Sequence, residues 1–207
     1  MIKDGKTTSA QKAIVIGEEA EKLGKIYQEA FAIFSLRTPC LQNYHPEEFQ
    51  DVLKDREIIK LISYIDGEPV GMALITSNLN KVPWINKSFY THNFPEHYRK
   101  GMLFYVKSIL VTPRLQDVLA GEEKTRIITK LIKLIETFLP EDSIFCYDCS
   151  SELNEWFTDF LVKTTPSVHP LGLDWRKGID RQVYFAFRKN YEEGYGGKTT
   201  KQRSDTK

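Results

Sequence analysis

Cysteine, long apolar runs and an excess of either charge are what this 207-residue sequence lacks. Three cysteines, Cys40, Cys146 and Cys149, are an odd number and too few to staple a chain of this size. The fold must therefore rest on a buried core, and the thiols suit a reducing compartment. No apolar stretch approaches the roughly 20 residues that span a bilayer. The N-terminal MIKDGKTTSAQ also offers no apolar segment for a signal peptide. The expectation is a cytoplasmic protein without a membrane partner. Basic residues number 29 and acidic residues 28, so no overall field draws the chain to a polyanion, and no nucleic-acid partner is indicated.

What the sequence does have is apolar and aromatic side chains, at 41% and 12%, enough at this length for one domain with a full core. We assign residues 1–12 to a flexible leader, 13–189 to a single domain and 190–207 to a disordered tail. The closing GYGGKTTKQRSDTK lacks apolar residues whose burial could offset the entropy of ordering.

Within the domain, AIVIG at 13–17 reads as a short strand. Ala20, Leu23, Ile26, Tyr27, Ala30, Phe31 and Phe34 then recur at the three- and four-residue spacing of an amphipathic helix. Pro46, followed by Glu47 and Glu48, suits the first turn of a second helix running through Leu53. The runs 58–65 and 70–75 flank Asp66-Gly67, a dipeptide that readily takes the positive backbone angles of a tight hairpin. Residues 77–101 show no sustained period and read as a long connection carrying Trp84, Phe89, Tyr90, Phe94 and Tyr98. Such a segment is either a lid over a pocket or a satellite apolar cluster pinning a loop.

A strand at 103–112 follows. Ile127, Ile128, Leu131, Ile132, Ile135, Phe138 and Leu139 then define one helix face that stops at Pro140. A strand at 143–149, a helix at 154–163 and strands at 168–175 and 182–188 complete the order β-α-α-β-β-β-α-β-α-β-β. Strands interleaved with helices require a mixed sheet covered on its faces, placing the fold in the α/β or α+β class.

In that order, the hairpin ISYIDGEPVGMALI, the strand YVKSILVTP, the helix after it, the strand SIFCYDC and a helix with Asn154 near its start resemble the Gcn5-related N-acetyltransferase (GNAT) fold. The resemblance covers about residues 13–188. It implies a mostly antiparallel central sheet with helices on both faces. It also implies an acyl-CoA co-substrate such as acetyl-CoA, no metal, and an amine acceptor on a small molecule or a protein. Ile109, Leu110 and Val111 would offer backbone groups to the pantetheine arm, and Gln116, Gly121, Lys124 and Thr125 would line the pyrophosphate site, with Asn154 at the next helix. Helix-start amides lack intrahelical partners and sit at the positive end of the dipole, so phosphate oxygens are natural guests there.

The pattern departs from the family in three places. Leu119 stands where the first loop glycine belongs, Glu122 and Glu123 oppose Lys124 and Arg126 at the helix start, and Phe160 and Leu161 fall where a catalytic tyrosine is usual. These departures support an alternative: a GNAT-shaped binding or ligand-sensing module without catalysis.

Acyl transfer to an amine needs a proton acceptor. Asp148 and Cys149, at the end of the fifth strand, are the candidate catalytic residues. The competing reading makes Asp148 a solvated strand end and Cys149 a small core residue. Tyr105 and Lys107 share a strand face by alternation, either directed to the acceptor side or ordinary sheet-face residues. Cys146 to Cys149 also has dithiol spacing. His45, His92, His97 and His169 are scattered, without the accompanying ligands of a zinc site.

Overall fold

The computed structural model describes residues 6–35, 43–113, 122–149, 168–170, 175–176 and 183–189. The elements are β1 (Thr7–Lys12), α1 (Glu18–Ser35), α2 (Pro46–Lys54), β2 (Ile59–Ile65), β3 (Glu68–Thr76), α3 (Lys87–Asn93), α4 (Pro95–Arg99), β4 (Leu103–Val111), α5 (Glu122–Phe138), β5 (Ile144–Cys149), β6 (Val168–Pro170), β7 (Trp175–Arg176) and β8 (Val183–Lys189). One mixed sheet runs β1-β2-β3-β4-β5-β8-β6, with β7 on β8. Among the described residues only β4 and β5 pair in parallel, and the other neighbours are antiparallel.

The hairpin between β2 and β3 forms as its sequence dictates, with φ of 51° at Asp66 and 85° at Gly67, positive at both central positions. All of β3 after Glu68 is buried, because helices cover both faces of the sheet. Ile127, Ile128, Leu131, Ile132 and Ile135 of α5 pack on Ala73, Ile75, Phe104, Val106 and Phe145 on one face. Leu23, Ile26 and Tyr27 of α1, with Phe49 and Leu53 of α2, cover Ile62, Met72, Leu74 and Leu110 on the other. Gly71 sets the closeness of α5: a Cβ there would stand 3.0 Å from Ile127 Cγ2 and 3.0 Å from the Leu110 carbonyl.

Three expectations change. The first strand is Thr7–Lys12, inside the segment assigned to a flexible leader, and not residues 13–17. TTSAQK carries little apolar signal because it is an edge strand, held by backbone pairing to β2 from Thr7↔Ile65 to Lys12↔Lys60. Residues 13–17 instead lie against α2. The Val15 N–H donates to the Leu53 carbonyl at 2.9 Å, and Val15 is buried while Ile16 is 67% exposed.

The second change is that the connection at 77–101 is structured. Asn86 caps α3 by accepting from the Ser88 N–H, and Pro95 begins α4. Its aromatics form a third apolar cluster: Tyr90 and Phe94 pack with Leu103, Tyr105, Ile144 and Cys146, and Trp84, Ile85, Phe89 and Tyr98 lie against them. The third is that the strand expected at 168–175, described at Val168–Pro170 (β6) and from Trp175 (β7), runs on to Arg176. The helix expected at 154–163 and the tail from 190 lie outside the described residues.

Candidate functional site

Strands β4 and β5 form a fork. They pair only from Leu103↔Ile144 to Tyr105↔Cys146, although β4 continues to Val111 and β5 to Cys149. Each is tied to a different neighbour. β3 holds β4 as far as Gly71↔Val111, and β8 holds β5 over Ile144–Cys149. The β3–β4 register also skips between Leu74↔Ser108 and Ile75↔Val106, leaving Lys107 as an extra residue with no partner opposite. A bulge of this kind increases local twist and re-aims a side chain, and here it lies at the mouth of the fork, just past the point where β4 and β5 stop pairing.

At that mouth stands Asp148. Alternation along β5 puts it on the face of Ile144 and Cys146, beneath the aromatic cluster and opposite α5. Its Oδ1 accepts from the Tyr105 hydroxyl and from Trp84 Nε1, the latter at 3.4 Å. Tyr105 is fully buried and meets the Tyr90 ring edge-on at 5.8 Å. Burial, and then the negative charge of Asp148, push the Tyr105 phenol well above its ordinary range, so it stays a proton donor to the carboxylate. Two donors, one on strand β4 and one in the turn before α3, fix the orientation of Asp148.

Lys107 approaches the same indole. Its Nζ lies 5.2 Å from the ring centroid of Trp84 and 5.2 Å from that of Tyr44, and donates to the Lys81 carbonyl. Burial pushes its ammonium down to about 8. Among the described residues no carboxylate forms an ion pair with Lys107. The nearby acids Asp55 and Glu57 are held by Lys81, at 2.8 and 3.1 Å.

Of the residues expected to hold the co-substrate, Ile109, Leu110 and Val111 lie on the forked part of β4. Their side chains enter the two apolar layers, so what they present along the strand is backbone. Lys124 and Thr125 lie in the first turn of α5, and the Thr125 carbonyl accepts from Thr129 Oγ1 at 2.8 Å. The Arg126 guanidinium reaches Thr7 Oγ1 at 3.5 Å, toward β1. Gln116, Gly121 and Asn154 lie outside the described residues.

Asp148 is placed at the fork, and the backbone of Cys149 beside it pairs with Val183. Cys146 is fully buried, its thiol pushed up by burial. Among the described residues no group of three His, Cys, Asp or Glu side chains is placed to hold a metal, and no helix is long and apolar enough to cross a membrane.

Trp84 and Tyr44 are the site residues that sequence reasoning did not select. The one signal was the density of aromatics in a connection.

No protein family's sequence profile matches the chain, and no curated protein matches it in sequence. Solved structures do match. FeeM, an N-acyl amino acid synthase from uncultured soil microbes, is similar at 13% identity over 89% of this chain and 90% of its own, with a TM-score of 0.56. The AHL synthase LasI is similar at 10% identity over 88% of each chain, TM-score 0.51. ElaA from Escherichia coli is similar at 10% identity over 88% of this chain and 98% of its own, TM-score 0.50. The fold is that of the GNAT superfamily.

Proposed function

We propose that the chain is an acyltransferase that moves an acyl group from an acyl-CoA thioester, acetyl-CoA being the simplest, to the nitrogen of an amine on a small molecule or a protein. The observation that carries this reading is the fork, with Asp148 held at its mouth by Tyr105 and Trp84. An extended arm bearing amides suits the unpaired edge of a strand, because it can take the place of the missing neighbour. Ile109, Leu110 and Val111 bind that arm through their backbone. Gln116, Gly121, Lys124 and Thr125 receive the phosphates, with Asn154 beside them. Two of the similar structures are named as synthases, one of N-acyl amino acids, which accords with acyl transfer to nitrogen.

The thioester supplies an activated carbonyl, and the protein supplies position and a proton acceptor. Holding the amine against the carbonyl removes most of the entropic barrier. As the C–N bond forms and the C–S bond breaks, Asp148 takes the amine proton, and the departing sulfur is protonated from water. Cys149, one residue further on, is the other proton carrier at this strand end. Tyr105 is a positioning residue: it holds the carboxylate and does not touch substrate.

Two measurements test the reading. Acyl-CoA near 100 times its dissociation constant should add about 2.7 kcal/mol of stability. Thiol release across an amine panel should fall on the order of 10²- to 10⁴-fold in Asp148→Asn. Stabilisation without thiol release would establish a binding module, and no stabilisation by any acyl-CoA would end the proposal.

A further inference from the structure

Building on the acyltransferase reading, we infer that Lys107 is the receptor for an acidic group on the acceptor, so that the acceptor is an α-amino acid and not a simple amine. The first support is position. Lys107 is the bulge residue of β4, two residues past the last β4–β5 pair, at the mouth of the fork where the acyltransferase reading puts the thioester carbonyl.

The second support is its surroundings. Lys107 gives one N–H to the Lys81 carbonyl and lies against the faces of Tyr44 and Trp84, which attract a cation without neutralising it. An ammonium carries three donors, and Asp55, the carboxylate whose charge acts on it, is paired with Lys81. Although burial lowers its affinity for the proton to about 8, the side chain is still mostly charged at neutral pH.

The third support is the arrangement of opposite charges. Lys107 and Asp148 both lie against the single indole of Trp84, one on its face and the other at its N–H. A molecule with an ammonium and a carboxylate on one carbon offers each of them a partner of opposite charge, with a charge-assisted hydrogen bond at either end. Asp148 draws the amine that is to be acylated, and Lys107 draws the neighbouring carboxylate.

A lysine serving only to hold the fold looks different, and this protein contains one. Lys60 is fully buried and gives its ammonium to two backbone carbonyls, of Ala13 at 2.9 Å and Asp55 at 2.6 Å.

The test uses the full chain, an acyl-CoA donor and acceptors in matched pairs that differ only by the carboxylate: phenylalanine with phenethylamine, and leucine with isopentylamine. Thiol release should give the amino acid a kcat/KM at least about tenfold above its decarboxylated partner. Lys107→Met should bring that ratio toward one, and Lys107→Arg should restore part of it. Calorimetry with phenylalanine alone should show binding to the wild-type chain and a loss of it in Lys107→Met, with melting curves confirming that the variant is folded. Equal use of both members of each pair by the wild type, or an unchanged ratio in folded Lys107→Met, would overturn the inference and leave acyl transfer standing. No thiol release with any acceptor would overturn both.

Discussion

The β1–β3 half of the sheet and the forked β4–β5 half each bury a lysine in an otherwise apolar strand, and they complete its surroundings differently. Lys60 of β2 is fully buried, and its two carbonyl partners tie the segment before α1 and the end of α2 to the sheet. Lys107 of β4 has one carbonyl and two aromatic faces, beside a strand edge that its neighbour has left. Burial pushes both ammonium groups down to about 8. The comparison teaches that a displaced proton affinity does not by itself mark a site. What separates the two is whether protein groups complete the shell, since a buried polar group costs free energy only while it lacks partners.

The largest expected effect breaks the comparison on the closed side. Lys60→Ala removes the donor shared by the Ala13 and Asp55 carbonyls and empties the space of a fully buried side chain, and it should cost about 2–4 kcal/mol in urea unfolding. A loss below about 0.5 kcal/mol would mean that water or the chain replaces Lys60 readily, and the contrast with Lys107 would collapse.

Next is the pH dependence. Both lysines bind their proton less tightly folded than unfolded, so between about pH 8 and pH 10 the unfolded chain holds more protons and stability rises with pH. Each contributes at most about 1.4 kcal/mol per pH unit. Above about pH 10 the sign reverses, because burial pushes Tyr27 and Tyr64 up to about 12 and the folded chain then keeps protons that the unfolded one loses. Denaturant midpoints from pH 7 to pH 11 should pass through a maximum, and Lys60→Met should flatten the rising limb.

A smaller effect belongs to the fork. Lys107→Met removes a half-buried cation that has no carboxylate partner among the described residues, and it should change stability by less than about 1 kcal/mol at pH 7, in the stabilising direction. A loss as large as that of Lys60→Ala would make Lys107 a strut of the fold. The smallest effect is that of Trp84→Phe, which keeps an aromatic ring but removes the donor to Asp148. It should cost about 0.5 kcal/mol of stability, with the larger consequence in thiol release.

Much of the scaffold can be read directly from residues. Asp66-Gly67 announces its hairpin because few other pairs accept positive φ twice in succession. The stripe from Ile127 to Leu139 announces α5 because its period is that of a helix and its far face is polar. β1 escapes notice because an edge strand needs backbone pairing more than apolar side chains, and Thr7–Lys12 has nearly none. The helices in 77–101 are hidden by their length: elements this short are fixed by a cap, a proline and a place to dock.

Asp148 is legible as a strand-end carboxylate. Its connection to Trp84, 64 residues earlier in the chain, is not, and neither is the approach of Lys107 to Tyr44.

The sequence by itself determined the periodicities, the turn, the identity of the buried layers and the presence of lysines where apolar residues would be expected, because these depend on neighbours a few positions apart. Only the tertiary structure decided that β4 bulges at Lys107 and parts from β5 after Tyr105, and that one indole meets both a carboxylate and an ammonium. Those outcomes depend on strands being held by different partners, a competition between contacts far apart in the chain that no local pattern records.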